Sequence, residues 1–251
     1  MIELADVAKR HGASTALDGV SLTVAAGEFV ALVGPSGSGK TTLLKSINRL
    51  SIPDEGTVRI DGRDVRDLPV TALRRGIGYV IQGIGLFPHM TVAENVWIVP
   101  RLAGAPAAQR DGRVAELLDL VALPRDFAGR MPASLSGGQA QRVGVARALA
   151  AGPRIMLMDE PFGALDPVTR DELGHAYRAL HDRLGLTTMM VTHDMAEALL
   201  LADRIVVLID GRIRADSPPA ELLSSADPEV RALVDVPRRQ AERLHALAEQ
   251  P

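Results

Sequence analysis

The sequence predicts an α/β fold whose largely parallel sheet is covered by helices on both faces. Three observations predict it. The short β-rich stretch 28–33 runs straight into Gly34-Pro35-Ser36-Gly37-Ser38-Gly39-Lys40-Thr41-Thr42, and a helical pattern follows at once. Apolar runs at 77–81, 154–159, 187–192 and 204–209 alternate with helix-period segments. The run Ile155-Met156-Leu157-Met158 is unbroken, as expected of a strand buried on both faces.

Taken in order, residues 2–7, 21–24 and 28–33 read as strands, and 40–50 as a helix. Residues 56–60 read as a strand closed by the turn Asp61-Gly62. From 91 to 151 the pattern is helical, with Val114, Leu117, Leu118 and Val121 at spacings of three and four. We read this stretch as a helical insert. Helices 167–184 and 195–202 separate the returning strands. After Gly211 the chain turns polar, with Pro218, Pro219, Pro228 and Pro237, and short helices plus a charged terminal one near 237–250 are expected. Within that tail Leu244, Leu247 and Ala248 form a narrow apolar stripe, expected to dock on the chain's own body.

Composition narrows the function. Lys and Arg total 28 against 31 Asp and Glu, and aromatics are 3% of the 251 residues. No basic, aromatic-laced segment occurs, so nucleic acid is not an expected partner. There is no cysteine, which removes disulfides and thiolate metal sites. No apolar run approaches the length of a membrane span, and the first residues carry acids where a signal peptide carries bases. A soluble chain is expected, with any membrane role reached through a partner.

The glycine loop carries the first chemistry. Glycines let the backbone turn its N–H groups inward on phosphate oxygens, and the following helix adds its positive end. Lys40 is one of only three lysines in the chain and is placed to reach β- and γ-phosphates; Thr41 offers a hydroxyl to Mg²⁺. Asp159 and Glu160 follow an apolar run, at the strand end where open α/β sheets bind ligands. Asp159 is expected to hold Mg²⁺ and Glu160 to orient or deprotonate a water. A second glycine turn, Leu135-Ser136-Gly137-Gly138-Gln139, precedes another helix and makes a second anion site by the same physics. Gln82 closes one strand beside the expected Mg²⁺ site, and His193 closes another, where it can donate to a γ-phosphate oxygen. A lone histidine is more often structural, and His11, His175, His181 and His245 are first read that way.

These motifs resemble the ATP-binding subunits of ABC transporters from residue 2 to about 215. The match comprises the Walker A loop (34–42), the Q-loop glutamine Gln82, the LSGGQ motif (135–139), Walker B (155–160), the D-loop Ala164-Leu165-Asp166 and the switch histidine His193. The resemblance implies a P-loop core with an N-terminal antiparallel β subdomain and a helical subdomain over about 83–151. A short helical tail would occupy 216–251. It also implies ATP and Mg²⁺ as cofactors, Mg²⁺ being held by Thr41, Gln82 and Asp159. Lys40, Gln82, Glu160 and His193 would be catalytic. A second copy would bind head to tail, so that Ser136, Gly137, Gly138 and Gln139 close on the partner's ATP while Asp166 links the two sites. Permease subunits would dock near Phe87, Pro88, His89 and Met90 on the cytoplasmic face of the membrane. An extracytoplasmic solute-binding protein would act through that permease.

Residues 51–102 look like those of importers for osmoprotectants and other quaternary amines. Importers of other small solutes remain the alternative, followed by exporters and ABC ATPases without a transport role. The chain departs from the family pattern where an aromatic usually stacks on adenine: Lys9-Arg10-His11-Gly12 leaves His11 to do so. It also has too few residues after 215 for the sensory modules that many such importers append.

Overall fold

The computed structural model describes residues 1–83, 85–163 and 165–248, with backbone alone at 238, 240, 241 and 244–248. The stripe at Leu244, Leu247 and Ala248 and the side chain of His245 therefore lie outside the described residues.

Two sheets organise the chain. The first holds β1 (Ile2–His11), β2 (Ser14–Val24), β4 (Glu55–Ile60) and β5 (Arg63–Asp64), in the antiparallel order β2-β1-β4-β5. The second holds β3 (Phe29–Val33), β6 (Ile77–Val80), β7 (Ile155–Asp159), β8 (Thr187–Val191), β9 (Arg204–Ile209) and β10 (Arg212–Ser217). Its order is β10-β9-β3-β8-β7-β6, and every pairing is parallel except that of β10 with β9.

Alternation along the central strands fills two cores. Phe29, Ala31 and Val33 join Met156 and Met158 on one face of the sheet. Val30, Leu32 and Leu157 lie on the other with Leu43, Leu44 and Ile47 of α1 (Lys40–Ile47) and Ile2, Leu4 and Val7 of β1. This two-sided burial is why the strands read as unbroken apolar runs.

The helical region contains α3 (Val92–Leu102), α4 (Arg110–Leu120) and α5 (Gly137–Leu149), with α2 (Val70–Arg75) before it. Val114, Leu117, Leu118 and Val121 are all buried, as their spacing predicts. Thr91 and Glu94 make a capping box that starts α3. Beyond lie α6 (Pro167–Leu184), α7 (Met195–Leu201), α8 (Pro219–Leu222) and α9 (Pro228–Ala248).

The C-terminal segment differs from expectation in two ways. Residues 212–217 form an edge strand, reached through the positive-φ turn Asp210-Gly211. The last helix begins at Pro228 rather than near Pro237, and it continues through Pro237. Pro228 occupies its first turn, where a missing N–H costs nothing, and Asp227 accepts from the amides of Glu229 and Val230. Val230 and Val234 are buried in the main core, so the first turns are held by packing.

Arginines tie these elements together by binding main-chain carbonyls. Arg49 donates to the carbonyls of Val65 and Leu68, and Arg74 to those of Asn48 and Arg49. Arg113 reaches Leu149 and Ala150 at the end of α5, and Arg142 reaches Ala122 after α4. Arg147, buried in α5, donates to Gly85 at 2.7 Å.

Candidate functional site

A cleft of about 670 Å³ opens at the C-terminal ends of β3, β7 and β8. Ser36, Gly37, Gly39, Lys40, Thr41 and Thr42 of the glycine loop line it together with Gln82, Glu160, His193 and His11. The volume falls within the range of small-molecule sites.

The loop geometry explains its glycines. Gly34 has φ +146° and Gly39 φ +100°, values that side chains rarely adopt. A Cβ on Gly34 would lie 2.0 Å from the Leu208 carbonyl oxygen, and one on Gly39 would lie 2.1 Å from that of Ala16. No other residue fits at either place. Gly39 precedes the first turn of α1, so the loop and the positive helix end face the same space.

Lys40 donates to the carbonyls of Gly34 (2.8 Å) and Pro35 (2.7 Å), with Ser38 Oγ at 3.4 Å. Burial lowers the pKa of its ammonium, while Glu160 and Asp159 oppose that shift. Thr41 Oγ1 donates to Asp159 Oδ1 at 2.9 Å. Asp159 is fully buried, and its Oδ2 has no hydrogen-bond partner. Burial raises its pKa; the Thr41 bond, Lys45 and Lys40 oppose the shift. An unpartnered buried carboxylate oxygen beside a hydroxyl suits a hard cation that completes its shell with phosphate oxygens and water. Among the described residues no group of three or more His, Cys, Asp or Glu could hold a metal unaided.

Glu160 follows β7 with φ +50°, a left-handed conformation unusual for a residue with a side chain. Its N–H donates to the Val191 carbonyl at 2.9 Å, and its Oε1 lies 3.8 Å from His193 Nδ1. His193 sits two residues beyond β8, and Gln82 two beyond β6, rather than closing those strands. Thr192 and Asp194 hold the loop around His193: Asp194 donates its N–H to Thr192 Oγ1 and caps α7. Arg170 donates to Asp194 Oδ2 and to the Leu165 carbonyl.

The second glycine turn is elsewhere. Ser136 caps α5 in a reciprocal pair with Gln139, at 3.3 and 3.0 Å, and none of residues 136–139 lines the cleft. Asp166 likewise caps α6 by accepting from the Thr169 amide, which lowers its carboxyl pKa. Phe87, Pro88 and His89 are exposed and Met90 is half-buried, on a loop that buried Asn95 holds through Phe87 and Met90.

Of the histidines first read as structural, His181 is buried, bonding Thr188 and the Gly27 carbonyl, while His175 pairs with Asp171. His11 instead lines the cleft beside Ser14 and Ala16. Ser14 and Ala16 were not foreseen; the Gly12-Ala13 turn that brings β2 back beside His11 was the available signal. Gln141 was also missed. It lies fully inside α5, in helical phase with Val145 and Ala148, and donates to the Pro161 carbonyl.

Residues 17–163 match the family model described as ABC transporter. The choline transport ATP-binding protein OpuBA of Bacillus subtilis is 51% identical over 224 residues, 89% of this chain and 59% of OpuBA. The glycine betaine uptake system ATP-binding protein YehX of Escherichia coli is 49% identical over 224 residues, 89% of this chain and 73% of YehX. A sulfate/thiosulfate import ATP-binding protein, CysA 2 of Chromobacterium violaceum, is 51% identical over 220 residues, 86% and 58% of the two chains. This chain thus spans less than two thirds of OpuBA and CysA 2. The dimeric structure of MJ0796, a bacterial ABC transporter cassette, superposes with a TM-score of 0.82 at 39% identity, covering 87% of this chain and 99% of that one. A second MJ0796 dimer, bound to ADP and Pi, gives 0.81. With six motifs in order and a family model spanning more than half its length, the chain belongs to the ABC transporter family.

Proposed function

We propose that this chain is the ATP-hydrolysing, energy-coupling subunit of an importer for osmoprotectants of the quaternary-amine class. The observation that carries the ATPase reading is the convergence of Lys40, Thr41, Asp159, Glu160, Gln82 and His193 on one cleft. The names of OpuBA and YehX support the solute class. A second reading, an importer of another small solute, is favoured by CysA 2 at the same identity.

The reaction is transfer of a γ-phosphoryl group to water. The loop amides and Lys40 bind the phosphates and spread their charge. Glu160 accepts a proton from the attacking water. His193, 3.8 Å from Glu160 and on the open side of the cleft, donates to a γ-phosphate oxygen. Gln82, which lines the same cleft, orients the water. Mg²⁺ held by Thr41, Asp159 and Gln82 would neutralise charge developing between the β- and γ-phosphates. His11 stacks on the base.

Two copies pair head to tail, each offering Ser136, Gly137, Gly138 and Gln139 to the other's nucleotide, with Asp166 between the sites. Support comes from the MJ0796 dimers and from the distance of this turn from its own cleft. Residues 1–215 form the ATPase unit, with a helical subdomain over about 83–151, and 216–251 is accessory. Permease chains dock on Phe87, Pro88, His89 and Met90 at the cytoplasmic face of the membrane, and an extracytoplasmic solute-binding protein delivers to them. No helix among the described residues is long and apolar enough to cross a membrane.

Glu160→Gln tests the reading. Turnover should fall by about 10²–10⁴-fold while ATP binding persists. ATP should then hold the variant as a dimer on size exclusion. Retained hydrolysis would remove Glu160 from this role.

A further inference from the structure

We propose that Gln141 is a positioning residue that holds the backbone of Glu160, and through it joins the first turn of α5 to the hydrolytic carboxylate of the same chain. The proposal rests on the ATPase reading above. It stands on three observations.

First, Gln141 is 2% exposed, and its Nε2 donates to the Pro161 carbonyl at 2.5 Å. A polar side chain buried this deeply must be satisfied, and its partner is the carbonyl directly after Glu160. Second, the turn it grips is strained. Glu160 has φ +50°, and the proline ring that follows disfavours the right-handed helical region for it. Such a backbone persists only where its neighbours fix it. The Glu160 N–H is bound to Val191, its carbonyl accepts from the Gly163 amide at 3.3 Å, and Gln141 supplies the third hold. Third, the same helix closes on the next stretch of chain. A Cβ on Gly138 would meet Leu165 Cδ2 at 3.1 Å, so the start of α5 is in contact with the segment leading to Asp166.

Gln141 lies just over one helical turn from Ser136, which caps α5. A helix is stiff over that span. Displacement of residues 136–139 along the helix axis therefore moves the Gln141 amide, and with it the Pro161 carbonyl one residue beyond Glu160. The Gln141 side chain bonds the Pro161 carbonyl and lines no part of the cleft, so its loss should alter turnover and leave nucleotide affinity alone.

The experiment uses the full chain with Gln141→Met, which keeps length and removes the donor, and Gln141→Asn, which keeps the amide but shortens its reach. ATP affinity should stay within about twofold and kcat should fall about tenfold, as expected for one unmade bond to a buried carbonyl. In the Glu160→Gln background, Gln141→Met should cost nothing further. Amide exchange at Gly163 should quicken in Gln141→Met relative to the amides of β8. An unchanged kcat, an additional loss in the Glu160→Gln background, or unaltered Gly163 exchange would overturn the proposal. If Gln141→Met does not fold, Gln141→Asn decides by the same readouts. Absence of ATP hydrolysis in the wild type would refute the ATPase reading alone, and Gly163 exchange would still test the link.

Discussion

Replacing Glu197 by glutamine should flatten the dependence of stability on pH. Glu197 stands on α7, four residues after His193. One of its oxygens accepts from Thr192 Oγ1, and the other is buried without a partner. Burial pushes its carboxyl from 4.5 up to about 7; Asp194 and Glu160 push the same way, while Thr192 and Arg170 oppose. The folded chain therefore holds this proton at pH values where the unfolded chain has released it. Stability is greatest below the unfolded value and is lost as pH rises towards the folded one. The loss across the window is about 3 kcal/mol, at 1.36 kcal/mol for each pH unit. Glutamine cannot ionise, so that slope disappears. Its amide still accepts from Thr192 but places a donor where no partner stands, costing about 1–3 kcal/mol at every pH. The variant should be the less stable at pH 5 and should match or exceed the wild type at pH 8. Urea unfolding at pH 5, 6, 7 and 8 measures both chains, and groups common to the two cancel in the difference. Parallel stability curves across this window would refute the reasoning.

Three further outcomes follow from the site. Gly39→Ala puts a Cβ 2.1 Å from the Ala16 carbonyl at φ +100°, so ATP binding measured by calorimetry should be lost and the midpoint of unfolding lowered. His11→Ala should weaken ATP by about two- to tenfold and leave inorganic triphosphate unchanged, since only the base is stacked. Equal effects on both would place His11 on the phosphates instead. Asp159→Asn should lower Mg²⁺-dependent turnover by at least about tenfold, and raising Mg²⁺ in the assay should recover part of it.

The features legible in the sequence were those written in local chemistry. The bounds 167–184 of α6 agree with its ends in the structure, where Asp166 caps it, Pro167 opens it and Gly185 closes it at φ +60°. The phosphate loop was legible because its backbone path leaves no room for a side chain at Gly34 and Gly39. Strand β10 was missed although Asp210-Gly211 is a hairpin signal, because its six residues are half-buried at best and carry no apolar run. The start of α9 is not legible from pattern because Pro228 reads as a breaker, although at a first turn proline favours a helix. What local pattern could not yield was adjacency: nothing in the spacing says that His193 and Glu160 lie 3.8 Å apart, or that His11 shares their cleft. Gln141 was invisible for a related reason. A polar residue on a helix reads as surface until its partner, twenty positions away, is brought alongside.

Three of the 28 basic residues are lysine, and the arginines that replace them do much of the joining between elements. Arg49, Arg74, Arg113, Arg142 and Arg147 all bind peptide carbonyls. Such a contact sets one full charge against a fixed dipole, so dissolved ions have no opposite charge to compete for on the second side. Exposed pairs such as Arg125 with Asp119 weaken as ionic strength rises, whereas the half-buried Arg49, Arg113 and Arg142 and the buried Arg147 are screened much less. The connections made by these buried and half-buried arginines are therefore of a kind that tolerates salt. The internal linkages of this chain would therefore persist when the surrounding solution becomes concentrated.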